Sequence, residues 1–146
     1  MDRRSRRRAL AKKSLRPASV NTASETLVQG PDALYGAAES GGVAQGEAIF
    51  GAIFKVTPSG TFTPLYGFTN GNDGETPYAG LVFGRDGNFY GTSIHGTAGY
   101  GAVFQMTPAG SLKVLLDFDW TNGAGPVGTL IQGADGNLYA KRRAQW

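Results

Sequence analysis

The stretch Leu81–Gly91, LVFGRDGNFYG, decides the fold because the chain repeats it. It returns as LVQGPDALYG at Leu27–Gly36 and as LIQGADGNLYA at Leu130–Ala140. A second segment, GAIFKVTPSGTFTPLYGF at Gly51–Phe68, returns as GAVFQMTPAGSLKVLLDF at Gly101–Phe118. Self-similarity at a fixed period predicts a repeat architecture in which each unit is one supersecondary motif.

The period of the repeat is close to 50 residues. Gly51 and Gly101 are 50 positions apart and Leu81 and Leu130 are 49 apart, whereas Leu27 and Leu81 are 54 apart. The extra residues of the first unit fall in one connection, SGGVAQGEAIF, as is typical of a surface loop that tolerates insertions.

Each unit divides into four short strands. Asp86-Gly87 separates the first two strands of unit two and is a strong hairpin signal, because glycine tolerates a positive φ. Pro108-Ala109-Gly110 separates the third and fourth strands, with proline early in the turn and glycine late. The strands predicted for unit two cover about residues 79–84, 88–93, 102–107 and 111–118.

The fourth strand alternates between apolar and polar residues, which indicates one buried face. Pro64 has no backbone N–H and cannot donate a hydrogen bond to a neighbouring strand. We therefore expect the fourth strand of unit one at the edge of its sheet. The face predicted to be apolar carries Phe62, Pro64, Tyr66 and Phe68 in unit one and Leu112, Val114, Leu116 and Phe118 in unit two.

Four strands in about 50 residues, repeated in series, predict an all-β fold, a partial β-propeller of consecutive four-stranded antiparallel blades. A β-sandwich is the competing architecture, but a sandwich has no reason to repeat its sequence at a fixed period. The predicted organisation is a basic, disordered arm at 1–26, unit one at 27–78, unit two at 79–127, a partial unit three at 128–140 and a basic tail at 141–146.

Charge is distributed unevenly between the arm and the repeats. Residues 1–16 carry eight Lys and Arg and one Asp, whereas the rest of the chain carries six Lys and Arg and ten Asp and Glu. The arm lacks the apolar region of a signal peptide, and no stretch approaches the roughly 20 apolar residues that span a bilayer. With no Cys in the chain, disulfides and thiolate metal sites are excluded.

The motifs resemble those of the GloVer tandem-repeat family of bacterial proteins. The residues that carry the resemblance are Pro77–Val82, Asp86–Thr92, Gly99–Phe104, Thr107-Pro108, Gly110 and Phe118. The resemblance covers about residues 27–140 and implies a β-propeller from a secreted or surface-anchored protein. It implies no activity and no catalytic residue.

The chain departs from the family pattern in three places. Unit one has Pro31-Asp32-Ala33 where the other units have Asp-Gly-Asn, so we expect a poorer first hairpin. Two units and a fragment are fewer than the four to eight blades that close a propeller. After Tyr139 the pattern stops, so we expect the outer faces of the first and third sheets to expose apolar side chains and to favour self-association.

Candidate site residues are few, and each has a structural explanation. His95 has no second His or Cys with which to form a zinc site, so we interpret it as an exposed loop residue. The segment Asn70–Glu75 is rich in oxygen ligands but lacks the spacing of a calcium loop, and we interpret it as a linker. Trp120 lies in the corresponding linker of unit two and could stack on a sugar or on a protein partner.

The recurring polar and aromatic residues have structural interpretations too. We assign Asp32, Asp86 and Asp135 to tight turns, because Asp bonds the backbone that follows it. The strand residues Tyr35, Tyr90 and Tyr139 are assigned to the core between blades.

No catalytic, cofactor or metal site follows from the sequence. Glycines such as Gly99 and Gly101 form neither a P-loop nor a G-x-G-x-x-G motif that opens a helix. We therefore expect a non-enzymatic repeat module, a structural or protein- or glycan-binding fragment of a larger surface or secreted protein. The alternatives are nucleic-acid or anionic-surface binding through the basic arm, and a fragment of a propeller enzyme whose site lies in other blades.

Overall fold

The computed structural model of the protein describes residues 20–23, 27–41, 50–69, 71–123 and 125–142. These residues form β-strands and no helix, so no helix there is long and apolar enough to cross a membrane. The predicted all-β class is confirmed. The strands are β1 (Val20–Ala23), β2 (Val28–Gln29), β3 (Leu34–Gly41), β4 (Ala52–Val56), β5 (Phe62–Gly67), β6 (Glu75–Pro77), β7 (Val82–Phe83), β8 (Phe89–His95), β9 (Ala102–Met106), β10 (Leu112–Asp117), β11 (Pro126–Gln132) and β12 (Leu138–Arg142).

The strands form three antiparallel sheets that follow one another along the chain. The first has the order β1-β3-β4-β5, with β2 also paired to β3. The second has the order β6-β8-β9-β10, with β7 also paired to β8, and the third consists of β11 and β12. The first two sheets therefore share a plan of four rows, in which the first row is split into two short strands. The predicted third, incomplete sheet is present with its first two rows.

The predicted boundaries differ from the observed ones in the first row of each sheet. The strand predicted at 79–84 is shortened to β7, and a further short strand, β6, pairs with β8 before the expected unit boundary. Strand β1 pairs with β3, so the expectation of an unpaired arm is wrong for residues 20–23. Its pairing uses backbone groups, which leave no periodic pattern in the sequence. The rest of the predicted arm, residues 1–19 and 24–26, lies outside the described residues, as do residues 42–49 of the long loop.

The fourth-row strands β5 and β10 each contain a one-residue bulge, at Leu65 and Leu115. A bulge moves every following side chain to the other face of the sheet. The prediction of one continuous apolar face is therefore wrong beyond these positions, and Leu116 is 43% exposed. Pro64 immediately precedes the first bulge, and its strand is the outer edge of the first sheet, as predicted.

The first and second sheets pack face to face through aromatic rings. We call the face that a sheet turns toward the next sheet its forward face, and the opposite face its backward face. Tyr35 on the forward face of the first sheet stacks on Phe89 of the second, with ring centroids 4.2 Å apart. Phe68 meets Phe104 edge to face at 5.5 Å. The buried cluster between the sheets comprises Ala33, Tyr35, Ala37, Ile53, Phe68, Leu81, Phe89, Phe104 and Met106.

A glycine lies against a proline of the following sheet at each junction between sheets. A Cβ built on Gly51 would overlap the ring of Pro77, and one built on Gly101 would overlap the ring of Pro126. Both glycines also have a positive φ, 106° and 95°. Only glycine satisfies both conditions, because it lacks Cβ and adopts positive φ without strain.

A hydrogen bond accompanies the glycine-proline contact at both junctions. The N–H of Thr76 donates to the carbonyl of Phe50 at 2.6 Å, and the N–H of Gly125 donates to the carbonyl of Tyr100 at 2.8 Å. The third sheet therefore joins the second in the same way as the second joins the first.

The outer faces of the array differ from each other. On the backward face of the first sheet, Phe54 and Val56 are buried, with Leu27 and Phe62 packed against them, so the predicted apolar exposure is wrong there. On the third sheet Ile131 is 68% exposed and Tyr139 is 54% exposed, as predicted for that end. Among the described residues, the forward face of the third sheet is thus uncovered and the backward face of the first sheet is not.

The junction contact can be tested with a matched pair of glycine substitutions. Gly99 has a φ of 83° but no atom within 4 Å of a built Cβ, so Gly99→Ala adds backbone strain alone. We expect it to lower the free energy of unfolding by about 1–2 kcal/mol. Gly101→Ala adds the overlap with Pro126 and should cost about 1–3 kcal/mol more. Denaturant unfolding of both variants measures the difference, and equal costs would contradict the junction model.

Candidate functional site

The recurring aspartates lie in the turns between the first and second rows. One carboxylate oxygen of Asp86 accepts a hydrogen bond from the backbone N–H of Asn88 at 3.1 Å. The other oxygen accepts from the Asn88 side chain at 3.1 Å and from the Tyr90 hydroxyl. Asp135 makes the same bonds to Asn137, at 3.0 Å each, and to Tyr139 at 2.6 Å. The assignment of these aspartates to turns is confirmed.

Unit one keeps the aspartate-tyrosine contact by different means. Its turn has no asparagine, and Asp32 instead accepts from the Tyr35 hydroxyl at 2.6 Å and from the Lys55 ammonium at 3.0 Å. The position of Lys55 is held in unit two by Gln105, which donates to the Tyr90 hydroxyl at 2.8 Å. The three turns therefore form a repeated polar cluster at one end of the sheets.

These hydrogen bonds fix the protonation states of the cluster. The bond from Tyr90 lowers the pKa of Asp86, and the bonds from Tyr35 and then Lys55 lower the pKa of Asp32. Burial, followed by the bond to the carboxylate, raises the pKa of Tyr35 and of Tyr90. At neutral pH the carboxylates are ionised acceptors and these two phenols are neutral donors. A general acid or base needs a pKa near the working pH, so the cluster is suited to holding turns and is poorly suited to proton transfer.

The three tyrosines have different environments. Tyr35 and Tyr90 are buried, but Tyr139 is 54% exposed, so its assignment to the core is wrong. The positions are equivalent in sequence and in hydrogen bonding. They differ because a following sheet covers Tyr35 and Tyr90, whereas no sheet in the described part of the chain lies in front of Tyr139.

His95 is the last residue of β8 and not a loop residue as expected, although it is exposed as predicted. Its Nδ1 lies 2.7 Å from a carboxylate oxygen of Glu75, across the pairing of β6 with β8. This contact ties the first row of the second sheet to the second row. No group of three or more His, Cys, Asp or Glu side chains that could hold a metal ion occurs among the described residues.

The oxygen-rich linker of unit one is held by hydrogen bonds to its own aspartate, Asp73. The carboxylate of Asp73 accepts bonds from the Thr69 backbone and hydroxyl, at 3.1 and 2.8 Å, from the Gly71 N–H at 3.2 Å and from the Tyr66 hydroxyl at 2.8 Å. Burial alone would raise the pKa of Asp73, but these bonds outweigh it and lower the pKa. Because its carboxylate already has four donors, the linker interpretation accounts for this segment.

The linker of unit two carries an exposed aromatic pair. Trp120 is 57% exposed and Tyr100 is 41% exposed, and their ring centroids lie 5.5 Å apart. Trp120 adopts a φ of 75°, which is uncommon for a residue other than glycine. A cavity lies beside the Asp32 turn and is lined by Gln29, Leu34 and Pro58 among others.

Arg85 makes cross-sheet contacts that sequence reasoning missed. Its guanidinium donates to the carbonyls of Gly133 and Ala134, at 2.5 and 3.3 Å, and its backbone N–H donates to Gln132 at 2.9 Å. The turn of the second sheet is thereby fastened to the turn of the third. The only available signal was an arginine at a position held by Pro31 and Ala134 in the other units.

A family model identifies the chain. The model of the Gloeobacter/Verrucomicrobia repeat matches residues 9–144. The chain belongs to the Gloeobacter/Verrucomicrobia repeat family. The resemblance seen in the motifs is thus confirmed, and the repeat family extends over nearly the whole chain. No curated protein matches the sequence.

The buried and exposed tyrosines of this Gloeobacter/Verrucomicrobia repeat provide a matched test of the turn cluster. Tyr90→Phe removes a buried hydroxyl that donates to Asp86 and accepts from Gln105. We expect a loss of about 1–2 kcal/mol in the free energy of unfolding, because the change removes two hydrogen bonds of a buried tyrosine. Tyr139→Phe removes the same bond at an exposed site and should cost less than about 0.5 kcal/mol. Denaturant unfolding of the two variants decides, and equal losses would count against the cluster.

The lowered carboxylate pKa predicts a loss of stability in acid. The ordinary pKa of Asp is 3.8, and that of folded Asp86 is lower. A group whose pKa falls on folding contributes stability above its unfolded pKa and loses that contribution as the pH drops through its folded pKa. We expect the free energy of unfolding to decline below about pH 4, and less steeply in Asp86→Asn. Unfolding curves between pH 2 and 7 measure both slopes, and identical slopes would contradict the assignment.

Proposed function

We propose that this chain is a non-enzymatic module of β-propeller type, which serves as a structural or interaction unit toward protein or glycan partners. The observation that carries the proposal is the equivalence of the two junctions. Gly51 with Pro77 and Gly101 with Pro126 place successive sheets in the same relation. A unit that stacks on its neighbours by one repeated contact generates a regular array, and radial arrays of four-stranded sheets are propellers.

The polar residues support a structural rather than catalytic role. The recurring aspartates are held by the tyrosine and asparagine of their own turns, and Asp73 is held by its own linker. A catalytic constellation needs a nucleophile or base free to meet a substrate, and these groups are already engaged. The exposed pair of Tyr100 and Trp120 supports a role in contact, because amphipathic aromatic rings are enriched where proteins meet partners.

The architecture can be tested by lengthening the array. Tandem copies of residues 71–120 would be inserted after residue 120 to give a series with an increasing number of units. If units stack radially, the free energy of unfolding should rise with each copy and then level off when the ring closes at about four to eight sheets. Small-angle scattering should show a radius of gyration that levels off at the same number. A radius that grows without limit would indicate an open solenoid and overturn the proposal.

A matched series controls for chain length. The inserted copies would carry an aspartate in place of the stacking phenylalanine, equivalent to Phe89→Asp, which puts a charge into the buried interface. This series should gain no stability from added units.

The proposal that the chain is not an enzyme is tested with Asp86→Asn on the original chain. Loss of any hydrolytic turnover in that variant, at unchanged fold, would contradict it.

A further inference from the structure

Two segments that are separate in the chain bring Tyr100 and Trp120 together. Tyr100 lies in the loop that leads into β9, and Trp120 lies in the linker that follows β10. The centroids of the two rings are 5.5 Å apart, and the ring planes are inclined to each other by 49°. Both residues are exposed. We call this pair of rings the aromatic platform.

The exposure of Trp120 belongs to its place in the fold. Position 70 is equivalent to Trp120 in the linker of unit one, because Phe68 and Phe118 are equivalent. Thr69 and Gly71, on either side of that position, are exposed although the second sheet, with its four rows, follows this linker. A linker therefore stays exposed beside a complete sheet, and a ring placed in it is accessible to a ligand.

The backbone of Trp120 is strained. Its φ of 75° is uncommon for a residue with a Cβ and costs free energy. The N–H of Trp120 closes a turn within the linker by donating to the carbonyl of Gly123 at 3.1 Å. A glycine at position 120 would close the same turn without strain. Strained residues concentrate at binding sites, where a particular side chain is needed at that place.

The other non-glycine residue with a positive φ in the described part of the chain is Thr76, with a φ of 53°. Its conformation is accounted for by the junction, because its N–H donates to the carbonyl of Phe50 and the next residue is Pro77. Trp120 lies outside the junction contacts, so its strain needs a different explanation.

The linker around Trp120 is held by a reciprocal pair of side chains. Oδ1 of Asp119 accepts from the N–H and the hydroxyl of Thr121, at 3.0 and 2.6 Å, and from the N–H of Asn122 at 3.1 Å. The amide of Asn122 accepts from the N–H of Asp119 at 3.1 Å and donates to the carbonyl of Asp117 at 3.0 Å. The indole is thus presented by an ordered segment, which lowers the entropy cost of binding.

Asp119 also offers an acceptor beside the indole in the chain. The bonds from Thr121 and then Asn122 lower the pKa of Asp119, so its carboxylate is ionised at neutral pH. All three bonds go to Oδ1, and Oδ2 accepts no bond from any described residue. An ionised oxygen forms strong hydrogen bonds with hydroxyl donors.

An aromatic plane next to a carboxylate matches the two kinds of surface that a sugar presents. A pyranose ring has an apolar face of C–H groups, which stacks on an aromatic ring, and hydroxyls at its rim, which donate to a carboxylate. A cage for an organic cation needs rings that stand apart and enclose it. The two rings of the platform are in contact, which favours the sugar.

The geometry of the platform distinguishes between kinds of sugar chain. A centroid distance of 5.5 Å is close to the separation of successive pyranose rings in a 1,4-linked glucan. Successive rings of a β-1,4 chain are nearly coplanar, whereas those of an α-1,4 chain are inclined to each other, so that the chain curves. The inclination of 49° between the aromatic rings fits the curved chain.

We propose that the aromatic platform and Asp119 bind an α-1,4-linked glucan. Successive glucose rings lie on Trp120 and Tyr100, and a hydroxyl of one of them donates to Oδ2 of Asp119. The carboxylate selects a neutral glucan over an acidic one by charge repulsion. This inference rests on the proposed function, of which it makes the glycan alternative specific.

The test measures binding of two pentasaccharides of the same composition to the whole chain. Maltopentaose is α-1,4-linked and cellopentaose is β-1,4-linked, so they differ in the linkage alone. We expect the wild-type chain to bind maltopentaose at least about tenfold more tightly than cellopentaose. Isothermal titration calorimetry gives both affinities.

Three variants locate the binding site. Trp120→Gly should weaken maltopentaose binding by at least about tenfold and should not lower the denaturant midpoint, because glycine adopts this φ without strain. Tyr100→Ala should weaken binding by about fivefold. Tyr78→Ala is its matched control, since Tyr78 is 48% exposed and lies outside the platform, and it should leave binding unchanged.

Four results would overturn the inference. They are no saturable binding of maltopentaose up to about 10 mM, equal affinities for the two sugars, undiminished binding by Trp120→Gly, and displacement of maltopentaose by tetramethylammonium, which would indicate a cation site. A lowered denaturant midpoint in Trp120→Gly would also count against it, because the ring would then serve the fold. None of these results affects the lengthened-array series, which tests stacking between sheets.

Discussion

The contact between a glycine and the proline of the next sheet is the constraint on which the rest of the structure depends. Gly51 and Gly101 each immediately precede a third-row strand, in a conformation and at a distance that exclude a Cβ. In the same interface the rings of Tyr35 and Phe89 stack with their centroids 4.2 Å apart. Because the junction is the same twice, the packing of one pair of sheets fixes that of the next.

The repeated turns give the recurring aspartates a structural role. Each aspartate bonds the tyrosine of the following strand, and two of them also bond an asparagine. The turn of unit one has no asparagine, and its carboxylate is paired with Lys55. Recurrence of an acid at a fixed spacing is therefore explained by turn geometry, since an ionised carboxylate can satisfy several backbone and side-chain donors at once.

The two ends of the array differ in a way that matters for assembly. The backward face of the first sheet is closed around Phe54 and Val56, whereas the forward end exposes Ile131 and Tyr139. Such polarity follows from stacking in one direction, because each sheet uses one face for its predecessor and the other for its successor.

The sequence by itself determined the all-β class, the 50-residue period, the turn role of Asp86 and Asp135 and the edge position of Pro64, because these depend on local chemistry and repetition. Tertiary structure alone decided the bulge at Leu115, the pairing of residues 20–23 and the cross-sheet bonds of Arg85. It also decided that Tyr139 is exposed while its equivalents are buried. These cases share one physical reason. The burial of a residue and the register of its strand depend on the residues that pack against it, and the sequence pattern of one segment does not specify those partners.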